Sequence, residues 1–221
     1  HIDLSNTKFW SGNIGQGTFT VNIEKYTKLK DLNISSSIVT SISLPNASLA
    51  LLNIINSAVE GISLVNQPFL DRLDFSGCKR LKTVTIDSCD KITELNLSNL
   101  GDLHTIRITS CPNLKSIICT NNVNLTTFNV SNCNNVEIIN VSQCTNESLT
   151  VYIVGVPNIK ELNVSSTNTP NDIQVASSLP NLRILNISNS QVSAIQYGNA
   201  AIPTYKENKI FDISKLNLTS L

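Results

Sequence analysis

A short period dominates this chain of 221 residues. The pattern apolar-x-x-apolar-x-apolar returns every ten to twelve residues, and such self-similarity narrows the possible folds more than any other property of a sequence. It runs through Leu29-Leu32-Ile34, Val39-Ile42-Leu44, Leu49-Leu52-Ile54, Val59-Ile62-Leu64, Leu70-Leu73-Phe75 and Leu81-Val84-Ile86. It continues through Ile92-Leu95-Leu97, Leu103-Ile106-Ile108, Leu114-Ile117-Cys119, Leu125-Phe128-Val130, Val136-Ile139-Val141, Ile159-Leu162-Val164, Leu182-Leu185-Ile187 and Val192-Ile195-Tyr197. Weaker copies stand at Ser148-Val151-Ile153 and Pro170-Ile173-Val175. The last two apolar positions lie two residues apart, which puts both on one side of a strand. Ser, Asn, Cys or Asp follow, often beside Gly or Pro, as in Ser76-Gly77-Cys78 and Ser110-Cys111-Pro112. Those are turn formers. Eleven residues have room for a strand and a corner, not for a helix as well.

Two such units make one coil of about 22 residues with a strand on each side. Cys89, Cys111 and Cys133 are spaced by 22 and stack under this phase. Sixteen copies predict a β-solenoid of about eight coils, mainly β and with parallel strands. At ~4.8 Å between neighbouring strands the body is roughly 35–40 Å long. The solenoid spans 29–197. Residues 1–28 and 198–221 fall outside the pattern and are expected to cap its ends within one domain, since an open end coil needs cover. Phe9, Trp10, Phe19 and Tyr26 provide apolar material for the first cap.

The string Leu-x-x-Leu-x-Leu-x-x-Cys/Asn resembles the leucine-rich-repeat consensus. Asn113-Leu114-Lys115-Ser116-Ile117-Ile118-Cys119-Thr120-Asn121-Asn122 carries it most plainly. In particular it is similar to the short, two-strands-per-coil repeats of surface and secreted proteins from gut-dwelling bacteria. The likeness covers about 29–197. It implies a binding or adhesion scaffold at the cell surface or outside the cell, with a protein or glycan ligand and no shared catalytic residues. The chain differs from longer leucine-rich repeats in leaving no room for helices on the convex side, so a strong horseshoe curvature is not expected.

Composition excludes other classes. The 16 basic and 16 acidic residues cancel, so no net field draws nucleic acid or an anionic membrane. No apolar run approaches the ~20 residues of a membrane helix. Asn, Ser and Thr number 30, 27 and 19, which gives a neutral surface rich in amides and hydroxyls. The chain starts at His1 and lacks Met, so it is expected to be a processed segment whose leader or anchor has been removed. Gly is scarce, no phosphate-binding loop is present, and no paired inward carboxylates suit glycoside hydrolysis. His104 has no partner His, and no Cys-x-x-Cys pair suggests zinc. The expectation is therefore a chain that is no enzyme and holds no cofactor or metal.

Residues between the two inward positions point outward. On one face they read Asn33, Asn53, Asp74, Asn96, Ile118, Asn140, Asn163 and Asn186, nearly a pure Asn column whose amides are expected to hydrogen-bond from coil to coil. Ile118, Ile138 and Ile184 form an apolar outward patch on this side. On the other face they read Ser43, Ser63, Thr85, Arg107, Asn129, Tyr152, Gln174 and Gln196. Variety at equivalent positions suits recognition, and Arg and Tyr are enriched at binding hot spots. Arg107, Tyr152, Asn129, Thr85 and nearby His104 are the candidate binding residues, with a solvated face as the plainer alternative. Five cysteines occupy corner slots, where a small buried filler meets backbone groups, and Cys119 occupies an inward slot. Reduced thiols are expected, with Cys89 and Cys111 close enough for a bridge. The functional expectation is recognition on a strand face, with a structural spacer or an intracellular partner-binding scaffold as alternatives.

Overall fold

The computed structural model describes residues 1–6, 19–46, 48–169, 173–175, 179–191, 194–197 and 200–203. It is a parallel β-solenoid, with no helix among the described residues. Strands are numbered in chain order. One face carries β1 (Ile2–Asp3), β3 (Asp31–Asn33), β5 (Leu51–Asn53), β8 (Glu94–Asn96), β10 (Ser116–Ile118), β12 (Ile138–Asn140), β14 (Glu161–Asn163) and β16 (Ile184–Asn186). The opposite face carries β2 (Thr20–Asn22), β4 (Ser41–Ser43), β6 (Gly61–Val65), β7 (Thr83–Asp87), β9 (Thr105–Thr109), β11 (Thr127–Ser131), β13 (Thr150–Val154), β15 (Ile173–Val175) and β17 (Ala194–Tyr197). The last strand, β18 (Ala200–Pro203), turns back antiparallel on β17. Residues 1–28 contribute β1 and β2, which pair in parallel with β3 and β4. Phe9 and Trp10, and 204–221, lie outside the described residues.

The inward positions form one continuous core from Ile23 to Ile187. Leu95, Ile106, Ile117, Phe128 and Ile139 are all at most 1% exposed. Each fully buried Leu, Ile or Val contributes about 1.5–3 kcal/mol of apolar transfer, and every coil supplies several. Two weak copies of the pattern need correction. Ser148 is exposed and Leu149 fills the inward slot instead. The spacing from Phe128 to its partner Val151 is 23 residues rather than 22, and the corner before β13 absorbs the extra residue. Pro170 lies outside the described residues; beside it, Thr169 is buried and its hydroxyl donates to the Leu149 carbonyl at 2.6 Å.

Corners explain the Asn and Ser content. Asn6, Ser36, Asn56, Asn99, Asn121, Gln143, Ser166 and Asn189 repeat at one corner with φ between 51° and 60°. Asn66, Ser88, Ser110 and Asn132 do so at the other. This left-handed region disfavours most side chains but admits Asn, Ser and Gly. At Gly77, a β-carbon would lie 1.8 Å from the Asn56 side-chain oxygen, so both conformation and space require glycine there.

The faces differ in continuity. β6, β7, β9, β11, β13, β15 and β17 form one uninterrupted parallel sheet that β18 completes. The Asn-bearing face splits into a sheet of β1, β3 and β5 and another of β8 to β16. Between them, residues 71–75 form no strand and make no backbone hydrogen bond to β5 or β8. Phe75 sits there in a column otherwise filled by Ile34, Ile54, Leu97, Cys119, Val141, Val164 and Ile187. It is the bulkiest member and 2% exposed.

Candidate recognition surface

The continuous sheet brings the predicted residues together. Register places Thr85 beside Arg107, Arg107 beside Asn129, and Asn129 beside Tyr152. Gln174 and Gln196 extend the column. Ser63 stands at its other end, beside Thr85. Ser43 belongs to the separate β2–β4 sheet. Pro45 stands at the corner that follows β4. The Gln67 side chain patches the corner, donating to the Pro45 carbonyl at 2.6 Å and accepting the Leu49 N–H at 3.0 Å.

Arg107 is exposed and forms no ion pair among the described residues. Tyr152 is 36% exposed. Arg107 and Tyr152 lie two coils apart with Asn129 between them, and the Asn129 side-chain oxygen is buried without a hydrogen-bond partner. A buried acceptor left unpaired costs about 1–3 kcal/mol. His104 is exposed just before β9, its Nδ1 against the Asp102 carbonyl and its own carbonyl accepting the Thr126 hydroxyl at 3.0 Å.

Sequence reasoning saw one outward column here, but the five-residue strands present three. Thr83, Thr105, Thr127 and Thr150 align along one margin. Asp87 and Thr109 align along the other, the Thr109 hydroxyl donating to Asp87 at 2.7 Å. Alternation within Thr105-Ile106-Arg107-Ile108-Thr109 was the available signal.

The Asn column behaves otherwise than expected. Among the described residues, no hydrogen bond joins one Asn of this column to the next. The side-chain oxygens of Asn33, Asn53, Asn96, Asn140, Asn163 and Asn186 each accept the N–H two residues on, at 3.0–3.3 Å. Asp74 does the same toward Ser76 at 2.8 Å. An acceptor that shapes the corner is what this column supplies, and Asp serves as well as Asn. Where Ile118 interrupts it, the Ser98 hydroxyl takes the Thr120 N–H instead. Amide bonds between coils run along the corners, as from Asn135 to the Pro112 carbonyl at 2.7 Å and from Asn121 to Asn99 at 2.8 Å. Of the outward isoleucines, Ile184 is 53% exposed, and Ile118 and Ile138 are half-buried.

All six cysteines are free and buried. The Cys78 thiol meets the Ile54 carbonyl at 3.0 Å, and Cys144 meets Cys119 O at 3.1 Å. Asn122 fills the same slot as these two, donating to the Leu97 carbonyl and accepting the Leu100 N–H. Burial pushes the Cys89 thiol up to about 11 and raises Cys78. No group of three His, Cys, Asp or Glu among the described residues is arranged to hold a metal ion.

A family model described as At1g61320/AtMIF1, LRR domain, matches residues 25–207. The chain belongs to this leucine-rich-repeat family. Searches of curated proteins and of solved structures found no match. Leucine-rich-repeat solenoids serve as interaction scaffolds built from stacked repeats with extended binding surfaces.

Proposed function

We propose that the chain is a non-enzymatic recognition module that binds a protein partner on the outward face of the continuous sheet. The carrying observation is the aligned and varied column of Thr85, Arg107, Asn129 and Tyr152 on an unbroken ladder, with Arg107 and Tyr152 exposed and Thr85 and Asn129 half-buried. Arg107 offers an unpaired guanidinium and Tyr152 an aromatic anchor. Those are the side chains that dominate binding energy at interfaces. A protein fits better than a glycan, because Tyr152 is the one aromatic in this column and sugars favour broader aromatic platforms. Surface or extracellular placement, as in the repeats of gut bacteria that the sequence resembles, belongs to the same proposal.

A second reading, an intracellular partner-binding scaffold, draws on the six free thiols, since such thiols persist most easily in a reducing compartment. Fractionation of cells producing the full-length protein separates the two settings. The binding test is a screen of the purified chain against immobilised matrix proteins, mucins and polysaccharides, with Arg107→Ala/Tyr152→Ala beside it. Expected is a protein ligand whose affinity falls at least tenfold in the double variant, about 1.4 kcal/mol or more. Equal binding by both forms moves recognition off this face, and no ligand at all favours a structural spacer.

A further inference from the structure

The break in the Asn-bearing face opens a cleft of about 850 Å³ between residues 71–76 and 91–99. That volume lies within the range of ligand sites. Its floor is Leu73 and Phe75, and its walls carry Asp71, Arg72, Asp74, Lys91 and Glu94. None of these charged groups is in an ion pair among the described residues.

The hydrogen bonds missing across the cleft follow a pattern. In β14, the strand equivalent to β8 three coils on, the Glu161 N–H donates to the Glu137 carbonyl of the preceding coil at 3.0 Å. The Asn140 carbonyl of β12 likewise accepts the Cys119 N–H of the preceding coil at 2.7 Å. At β8 the corresponding groups are the Glu94 N–H and the Asn96 carbonyl, and neither has a backbone partner across the cleft. β8 is thus a sheet edge whose outward backbone groups line an open slot. Glu94 and Asn96 are exposed, whereas Asn140 and Asn163 at the Asn96 position are half-buried.

We infer that this slot captures an extended peptide segment of a partner protein, which pairs with the β8 edge as an added strand. The commitment to a peptide rests on the unsatisfied groups. Alternating N–H and C=O along a strand edge are matched by another extended backbone, and a glycan or a small anion does not repeat that pattern. Side chains on one side of the peptide would lie over Leu73, while those on the other meet the unpaired charges of both signs. This site lies on the face opposite Arg107 and Tyr152 and stands independently of the function proposed above.

The test compares one substitution at two equivalent strands. Glu161→Pro removes an N–H that bonds, and Glu94→Pro removes one that does not. Proline is tolerated at a free edge but not inside a ladder. Glu161→Pro is expected to lower Tm by about 6–12 °C, and Glu94→Pro to stay within about 2 °C of the parent. Equal losses at both positions would show a closed ladder and overturn the inference. The wild-type chain is then panned against a displayed library of random octapeptides. Enriched peptides are expected to protect the Glu94 and Asn96 amides from hydrogen exchange, to lose at least tenfold affinity for Glu94→Pro, and to bind Arg107→Ala/Tyr152→Ala unchanged. Failure to enrich any peptide, or enriched peptides that depend on Arg107 and Tyr152 instead, would overturn the inference without touching the proposed protein-binding face.

Discussion

At the scale of single residues, this chain uses small polar side chains as corner hardware. Asn163 has its side-chain oxygen 3.0 Å from the Ser165 N–H, so Asn163→Ala strands a donor at a half-buried turn. We expect a loss of about 1 kcal/mol, and Asn163→Asp to keep nearly full stability because the acceptor remains; urea melts of the three proteins decide it. The buried thiols give a pH dependence. Cys89 is pushed by burial from 9.0 to about 11, so the folded state holds this proton more tightly than the unfolded chain. Between these values the unfolded chain binds fewer protons, and stability falls as pH rises. The contribution is intact below about pH 8.5 and lost through pH 11, and Cys89→Ala should flatten that part of a stability-versus-pH curve.

At the scale of elements, a three-residue strand is stable because its middle side chain is sealed in the core while its neighbours face out. Leu51 and Leu52 are adjacent and chemically identical, yet 51% and 3% exposed. Leu52→Ala should cost about 2–5 kcal/mol. Leu51→Ala should stay within about 0.5 kcal/mol. Similar losses at both positions, read from chemical denaturation, would contradict the register of β5. The ion pairs are of a different kind. Glu60 bridges Lys82 and Arg80, and Lys160 meets Glu137 at 2.7 Å, on side chains that are exposed or, for Glu60, half-buried. Pairs of that sort contribute little, so strands hold here through burial and ladder bonds.

For the whole molecule, stability is close to a sum over coils and their interfaces. Leu95 is 1% exposed on β8, the edge strand of the cleft and near the middle of the array. Leu95→Asp puts an unpaired charge in the core and should split the array, giving a broadened or two-step melt by circular dichroism where the parent melts in one. A single sharp transition at the parent temperature would sink the repeat register. The continuous sheet and the split sheet also give the molecule two unlike sides, one varied and unbroken, the other Asn-rich and open at one coil.

Period, phase and fold class were legible in the sequence because they rest on local rules: apolar residues two apart, turn formers after each strand, and a spacing repeated often enough to average out exceptions. The composition of the outward column, with Thr85, Arg107, Asn129, Tyr152 and their neighbour His104, followed from the same alternation. Three features required the tertiary structure. The Asn side chains turn back onto their own corners, because a donor two residues away is nearer than an amide in the next coil. The inward slot before β13 passes from Ser148 to Leu149, because burial rewards the apolar neighbour once the corner can stretch. The cleft at 71–76 does not show in the repeat, because Leu70-Leu73-Phe75 is a regular copy and ladder pairing depends on how two whole coils stack. Local periodicity determines what each coil is; only packing between coils decides where the stack closes and where it stays open.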